Sequence, residues 1–332
     1  MKKKKKPQKP KKIDKSQAIE YDYHLPILLN ECLDYLFHEE NVSVRHAEHK
    51  ELFIDGTLGG GGHSGEILKK LIFGGKLMAF DKDPDAIANA KSKFASFLQG
   101  DQPLLELHNQ CFSRAYNIKG IEGKINGFLL DLGVSSHQLD TANRGISYRE
   151  NANLDMRFGI EGITAKDFLN SASEEDITHV LLNYGEEPFS RVIVRRLIEK
   201  RRANALNTTF DLREAVEQAV PQHLLFKSLS RVFQAIRIKV NSELEILENT
   251  LENIVPSLAI GGRLVIITFH SLEDRIVKNK FRELSDKNLL DKNPKHPLLK
   301  VITKKPILPN EDEISHNPRA RSAKLRIAER VQ

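Results

Sequence analysis

Residues 52–65, Leu-Phe-Ile-Asp-Gly-Thr-Leu-Gly-Gly-Gly-Gly-His-Ser-Gly, decide the fold of this chain. A short apolar run ends at Asp55, four consecutive glycines follow, and Ile67, Leu68 and Leu71 then recur at helical spacing. This order predicts a strand, a tight loop and a helix. Glycines allow the backbone to approach a ligand closely and to adopt positive φ. The unit is therefore typical of a site for a nucleotide-like ligand.

Two further apolar runs end in carboxylates that are expected to face the same ligand. Residues 76–80 lead to Asp81, about twenty residues after the first strand, where a carboxylate can accept both hydroxyls of a ribose. Residues 125–130 lead to Asp131 and the loop 132–136. The carboxyl ends of parallel strands meet at one sheet edge. Residues 104–107 are interpreted as a further strand, between these two runs along the chain. Phe112, just beyond this strand, either packs on an adenine ring or belongs to the core.

The glycine loop alone leaves two cofactor classes open. Gly60, Gly62 and Gly65 fit the loose G-x-G-x-x-G pattern, so a nicotinamide-dependent oxidoreductase is one alternative. Asp55 favours the other class, because a carboxylate there repels a pyrophosphate but suits the ammonium and sulfonium of S-adenosylmethionine. A solvated aspartate in a plain turn is the structural alternative.

Length and cysteine content agree with a cytoplasmic enzyme. The 332 residues contain no apolar run long enough to span a membrane, and no apolar stretch follows the N-terminal lysines as in a secretory signal. Cys32 and Cys111 are far apart and form no C-x-x-C motif, so neither a disulfide framework nor a metal site is expected. Both cysteines are predicted to be small buried residues.

The positive net charge of the chain is concentrated in a tail. Residues 1–15 carry nine lysines and one aspartate, a net +8, while the whole chain carries +6, so the remainder carries −2. Such a tail cannot bury apolar surface, and residues 1–22 are predicted to be disordered. The tail either tethers RNA or only improves solubility.

The strand pattern stops after residue 136 and resumes at 262–269. The interval predicts helices near 165–169, 174–182, 188–200 and 212–220, that is, an inserted helical domain over 139–232 between core segments 23–138 and 233–332. Ser242 and Glu245 are spaced as a capping box, and Leu244, Leu247, Leu251, Ile254 and Leu258 continue a helix. Late strands are predicted at 298–303 and 324–328, one of them antiparallel.

The insert is expected to hold the substrate, because it follows the loop after Asp131. Its residues Arg144, Tyr148 and Arg157 provide cations and an aromatic ring, which are typical of single-stranded RNA recognition. The alternative is that Tyr148 and Phe158 belong to the core of the insert.

Ten motifs in order give the chain a specific resemblance. They are His24–Leu29, Gly61–Ser64, Asp81–Pro84, Asp131–Ser136, Leu154–Arg157, Tyr184–Glu187, Phe233–Ile238, Val240–Leu244, Phe269–Arg275 and Asn317–Ser322. With them the chain resembles the bacterial small-subunit rRNA cytosine-N4 methyltransferase family, known as RsmH or MraW, from about Tyr23 to Arg330. The resemblance implies an α/β, class I (Rossmann-like) S-adenosylmethionine-dependent methyltransferase with an inserted all-helical domain.

The resemblance also implies a reaction, a cofactor and a partner. The reaction is N4-methylation of a cytidine in the decoding region of 16S rRNA, at the position numbered 1402, and the partner is the small ribosomal subunit, without a membrane or a metal. The sequence leaves the oligomeric state open, a dimer included. S-adenosylmethionine is expected to contact seven residues: Gly61, Gly62, His63, Asp81, Phe112, Asp131 and Gln138.

The expected chemistry needs a hydrogen-bond acceptor, because the lone pair of the exocyclic amine of cytosine is delocalised into the ring. Asp131 is the first candidate for this catalytic role. Asp155, Asn241 and His270 are candidate helpers, each with an alternative structural role as a cap or strand-end residue. A non-catalytic RNA-binding or ribosome-assembly protein on the same scaffold remains the second functional hypothesis.

Overall fold

The computed structural model of the protein describes residues 26–37, 51–71, 74–286 and 298–332. Helices and strands alternate in the first half of the chain, and the middle of the chain is mainly helical. In chain order they are α1 (Leu29–Leu36), β1 (Leu52–Asp55), α2 (Gly62–Lys70), β2 (Lys76–Phe80), α3 (Pro84–Lys93), β3 (Leu105–His108), β4 (Ile125–Asp131), α4 (Ser136–Asp140), α5 (Ala165–Ser171), α6 (Glu174–Asn183), α7 (Ser190–Arg202), α8 (Thr209–Glu217), α9 (Leu225–Asn241), α10 (Glu243–Ile254), β5 (Leu258–Thr268), α11 (Ser271–Glu283), β6 (Leu299–Val301), α12 (Glu311–His316) and β7 (Lys324–Arg330).

Within these ranges seven strands form one sheet in the order β3-β2-β1-β4-β5-β7-β6. The first five of these are mutually parallel, and β7 runs antiparallel to both β5 and β6. The strand order reverses between β1 and β4, which is the position where open α/β sheets bind ligands. The predicted Rossmann-like class I fold, including its antiparallel strand near the end, is confirmed.

Alternating side chains on each strand build a core on both faces of the sheet. Phe53, Leu129 and Val265 pack on one face with helices α1, α2 and α3. Ile54 and Leu130 pack on the other face with α10 and α11. The glycine loop is therefore anchored by a strand, β1, that is buried on both sides.

A third apolar cluster belongs to the helical region between β4 and β5, and its buried members run from Leu154 to Ile236. The four predicted helices correspond to α5, α6, α7 and α8, each displaced by a few residues at its ends. The long helix α9 crosses position 233, where the sequence predicts the return to the core. Val232, Phe233 and Ile236 all pack in the helical cluster. The chain therefore leaves this cluster and returns to the sheet core near the end of α9.

The predicted capping box at Ser242 and Glu245 is wrong. Ser242 makes no side-chain cap hydrogen bond and adopts a left-handed backbone, φ +50°, which ends α9 and begins α10 without a linker. Leu258, predicted as the end of the helix, is the first residue of β5.

The predicted lysine-rich tail and the beginning of the first motif, His24 and Leu25, lie outside the described residues. Among the helices that are described, none has the length and apolar character needed to cross a membrane.

Candidate active site

The glycine loop is supported from below by a buried hydrogen-bonded carboxylate. Asp55 at the end of β1 accepts hydrogen bonds from the Ser64 hydroxyl at 2.6 Å and from the Thr57 backbone N–H at 3.1 Å. Burial raises the pKa of Asp55. The side chain is buried and does not line the adjacent cavity, so its direct contact with a cationic ligand stays a prediction. Asp55 instead joins the loop to helix α2.

Gly61 has a geometric reason to be glycine. It is the residue before α2, with φ +72°, and a Cβ there would lie 2.7 Å from the Phe94 ring. Gly61 does not line the cavity, whereas its neighbours Gly62 and His63 do. The structure gives Gly61 a role in shaping the loop, and its contact with the cofactor stays a prediction.

A cavity of about 520 Å³ lies at the carboxyl edge of the sheet, which is the size range of ligand pockets. One side, here called the loop wall, comes from segments that follow β1 to β4: it includes Gly62, His63, Asp81, Phe112, Asp131 and Gln138. The other side, here called the helix wall, comes from the insert and from α9 to α11: it includes Phe158, Gln234, Arg237, Asn241, Glu243, His270 and Glu273.

Asp81 connects the second strand to the glycine loop. Its carboxylate accepts hydrogen bonds from the backbone N–H of Gly59 and of Asp83, both at 2.8 Å. Burial raises the pKa of Asp81 to about 6. The carboxylate oxygens retain further lone pairs toward the cavity, where ribose hydroxyls can donate to them.

Asp131, at the end of β4, has a carboxylate oxygen without a hydrogen-bond partner among the described residues. Its backbone N–H donates to the Thr57 hydroxyl at 2.6 Å, and its Oδ1 is shielded from solvent without a hydrogen-bond partner in the described structure. Burial raises the pKa of Asp131 to about 8, with the negative charges of Asp55 and Glu273 adding to the effect. A protonated Asp131 therefore predominates at neutral pH until a cation or hydrogen-bond donor enters the cavity.

His63 is a neutral wall residue. Its Nε2 lies 3.1 Å from the Ile27 carbonyl, and its Nδ1 lies 3.7 Å from Asp131 Oδ2. Burial lowers the pKa of His63 to about 4, so the ring carries no charge that would stabilise an ionised Asp131. The ring instead fixes the segment before α1 against the loop.

Gln138, in the loop wall, and Arg144, outside the cavity lining, both bind Asp83. The Gln138 side chain accepts from the Ser135 N–H at 3.1 Å and donates to Asp83 at 3.2 Å. Arg144 pairs with Asp83 at 2.5 Å and with Asp85 at 2.7 Å. Arg144, which is predicted to contact RNA, is thus already paired with carboxylates that support the loop wall. Phe112, the first residue of a short 3₁₀ helix, lines the cavity.

The other two predicted RNA residues also have partners within the chain. Tyr148 packs edge-to-face on Phe233 with ring centroids 5.5 Å apart, and its hydroxyl lies 3.2 Å from the Ser230 hydroxyl. Arg157 binds both carboxylate oxygens of Asp155, at 2.7 and 2.8 Å. The structure gives all three residues intramolecular roles, and their contact with RNA stays a prediction.

Of the three candidate helpers, two line the cavity. Asn241 donates to the Met156 carbonyl and accepts from the Phe158 N–H, both at 2.8 Å. His270 precedes α11, and its Nε2 lies 3.2 Å from Glu273 Oε1.

Asp155 lies outside the cavity wall. Burial alone raises its pKa, but the hydrogen bonds from Arg157 and the positive charges of Arg157 and Arg144 together hold the pKa below its usual range. The geometry therefore gives Asp155 a role in holding its loop, and its catalytic role stays a prediction.

Sequence reasoning missed several cavity residues. Gln234, Arg237 and Glu243 were not singled out, although the first two interrupt an apolar helix at three-residue spacing and so carry a recognisable signal. Cys111, predicted to be buried, is partly exposed and lines the cavity beside Phe112. Cys32 is buried in α1 as predicted.

The residues present fit a cationic nucleoside cofactor better than a metal ion. The loop wall combines a carboxylate at the ribose position of the fold, a partly exposed aromatic ring and the unpartnered oxygen of Asp131. Among the residues that the structure describes, no group of three His, Cys, Asp or Glu side chains has the arrangement to hold a metal.

The chain matches known proteins over nearly its whole length. The model of the MraW methylase family matches residues 22–331. A Clostridium botulinum (strain Kyoto) protein named ribosomal RNA small subunit methyltransferase H is 43% identical over 318 residues, which cover 93% of this chain and 99% of that protein.

Proteins of the same name from Fusobacterium nucleatum and Heliobacterium modesticaldum are each 41% identical. They cover 95% and 93% of this chain, and 99% of their own lengths. With the sheet order and the cavity described above, these matches show that the chain belongs to the MraW methylase family.

Proposed function

We propose that the protein transfers a methyl group to the exocyclic N4 of a cytidine in 16S rRNA of the small ribosomal subunit. The relatives named as small-subunit rRNA methyltransferases support the substrate class. The observation that carries the proposal is the position of Asp131, whose Oδ1 is shielded from solvent and has no partner in the described structure, in a cavity formed by the cofactor loop and by the insert.

The methyl donor of this methyltransferase is S-adenosylmethionine, which supplies the methyl group from its sulfonium centre. The residues that would hold it are those of the loop wall. Asp81 accepts from ribose hydroxyls, Phe112 offers a flat apolar surface for the adenine, and Gly62 lets the backbone approach. Asp131 is the acid that the positive charge of the donor would ionise.

The reaction needs orientation and a hydrogen-bond acceptor more than a strong base. When bound, the donor would supply its methyl group to the N4 lone pair and leave as the neutral thioether, and N4 would then have one proton to lose. Asp131 can accept a hydrogen bond from the amine as its positive charge develops and can receive that proton. Fixing both reactants in one cavity contributes as well, up to roughly 7–11 kcal/mol of the barrier in well-oriented systems.

Methylation of cytosine carbon-5 instead requires a thiolate that attacks the ring. Cys32 is buried in α1, while Cys111 lines the cavity next to Phe112, on the loop wall. Since Cys111 has access to the cavity, a cysteine variant is needed to separate the two products.

The test is methylation of small subunits from cells that lack the gene, followed by nucleoside analysis. We expect N4-methylcytidine from the wild-type protein and from a Cys32→Ser, Cys111→Ser variant. Asp131→Ala is expected to lower the rate by about 10²-fold or more. Asp101→Ala, in an exposed loop, is the matched control. Binding of small subunits without any methyl incorporation would favour the non-catalytic assembly protein.

A further inference from the structure

The helix wall has polar groups where the surrounding packing is apolar. Gln234, Arg237 and Asn241 recur at three- and four-residue spacing on α9 and all line the cavity. Residues between them, such as Ala235 and Ile236, pack in the helical cluster. A buried arginine is costly unless it is paired, so its presence in this wall calls for a specific use.

Arg237 is held rigidly by a carboxylate on the next helix. Its Nε and Nη2 donate to the two oxygens of Glu243 at 2.8 and 2.9 Å. Burial alone lowers the pKa of Arg237, but the charge and hydrogen bonds of Glu243 raise it more. The left-handed backbone of Ser242 brings Glu243 back beside α9.

The pair leaves hydrogen-bonding capacity facing the cavity. The structure shows no partner for Arg237 Nη1 among the described residues, and each Glu243 oxygen has a second lone pair. The pair therefore offers a donor and an acceptor side by side, in a fixed arrangement.

An aromatic ring lies next to this polar edge. The Phe158 ring centroid is 5.8 Å from the guanidinium carbon of Arg237. The Phe158 backbone N–H is held by Asn241, whose side chain also binds the Met156 carbonyl, so the ring is attached to α9. Phe158, Arg237 and Glu243 all line the cavity, so a flat base that enters it has an aromatic ring and a donor–acceptor pair within the same site.

We propose that Phe158, Arg237 and Glu243 form the pocket that stacks the target base and distinguishes cytosine from uracil. This inference rests on the proposed function. Cytosine carries an amine donor at C4 and acceptors at N3 and O2, so Glu243 accepts one amine hydrogen while Arg237 Nη1 donates to N3. Uracil has an acceptor at C4 and a donor at N3, which reverses the pattern. Single-stranded RNA is commonly recognised by such stacking and edge contacts.

The test measures binding of cytidine and uridine 5′-monophosphates to protein saturated with S-adenosylhomocysteine, by ligand-observed NMR. We expect the wild-type protein to bind the cytidine nucleotide at least about fivefold more tightly, as for a bidentate base contact. Glu243→Gln replaces one acceptor oxygen with a donor, so the preference should fall to near one. Phe158→Leu should weaken binding of both nucleotides severalfold without changing their ratio.

Glu248→Gln is the matched control, because Glu248 lies on the same helix, α10, but is half exposed and outside the cavity wall. If the Arg237–Glu243 pair were purely structural, Glu243→Gln would change the thermal midpoint of unfolding and leave the nucleotide preference intact. A wild-type protein without preference, or Glu243→Gln with the wild-type preference, overturns the inference. If Glu243→Gln does not fold, unchanged nucleotide affinities in Phe158→Leu overturn it.

Failure of the proposed function has a different signature. If wild-type protein yields no N4-methylcytidine on small subunits but shows the cytidine preference, the reaction is wrong and the pocket stands. If N4-methylcytidine forms while Glu243→Gln retains the preference, only the pocket assignment fails.

Discussion

Replacing Asp131 by Asn should stabilise the ligand-free protein in a pH-dependent way. The pKa of Asp131 is raised from 3.8 to about 8, chiefly by burial. A carboxyl whose folded pKa lies above its unfolded pKa contributes stability that is complete below the unfolded value. That stability is lost progressively as the pH rises through the folded pKa. Asparagine does not ionise and keeps the size of the side chain, so the variant should not show this loss.

The magnitude follows from the shift. Each pKa unit corresponds to 1.36 kcal/mol, so a rise from 3.8 to about 8 sets a limit of roughly 6 kcal/mol. One quarter of the Asp131 side chain is exposed, and solvent screens part of this energy. We therefore expect Asp131→Asn to gain roughly 2–4 kcal/mol over wild type between pH 4 and pH 8.

Urea unfolding of the ligand-free proteins at several pH values measures this difference directly. Asp101→Asn, in an exposed loop, provides the control and should follow wild type at every pH. A stability difference between Asp131→Asn and wild type that stays constant from pH 4 to pH 8 would refute the claim that the pKa of Asp131 is raised in the folded protein.

Three further substitutions test the loop wall. Asp81→Ala should weaken S-adenosylmethionine binding by about 1.5–3 kcal/mol in calorimetry, through loss of charged hydrogen bonds; unchanged affinity with an intact fold would place the ribose elsewhere. Gly61→Ala should lower the free energy of unfolding by roughly 1–3 kcal/mol more than Gly120→Ala, since both have positive φ but only Gly61 faces the Phe94 ring; equal losses would refute the clash. Arg144→Ala should weaken cofactor binding severalfold because the buried Asp83 loses its positively charged partner, whereas Arg157→Ala should not; equal cofactor affinities would contradict this support role.

The sequence predicted the strand-and-loop framework well because local signals specify it. Apolar runs that end in Asp55, Asp81 and Asp131 correspond to β1, β2 and β4, with one residue of difference in the last. A strand that is buried on both faces reads as a continuous apolar run, and glycines mark the loop that follows.

The roles of individual polar side chains were harder to predict, because they depend on contacts between distant residues. Asp55 has the position of a ligand-binding residue in sequence, yet its hydrogen bond to Ser64 turns it beneath the loop. Arg144 and Asp83 are far apart in sequence and form a pair across the wall. Arg237 meets Glu243 only because Ser242 adopts a left-handed conformation, which no propensity favours for serine.

The most direct test of the central claim is nucleoside mass spectrometry of 16S rRNA from cells that lack the gene and are complemented with variants. We predict N4-methylcytidine after complementation with wild type and with the Cys32→Ser, Cys111→Ser variant, and its loss with Asp131→Ala. Retention times against standards separate the two methylcytidine isomers. The appearance of 5-methylcytidine, or a product that disappears with the cysteines, would contradict the assignment of Asp131 and of the exocyclic amine.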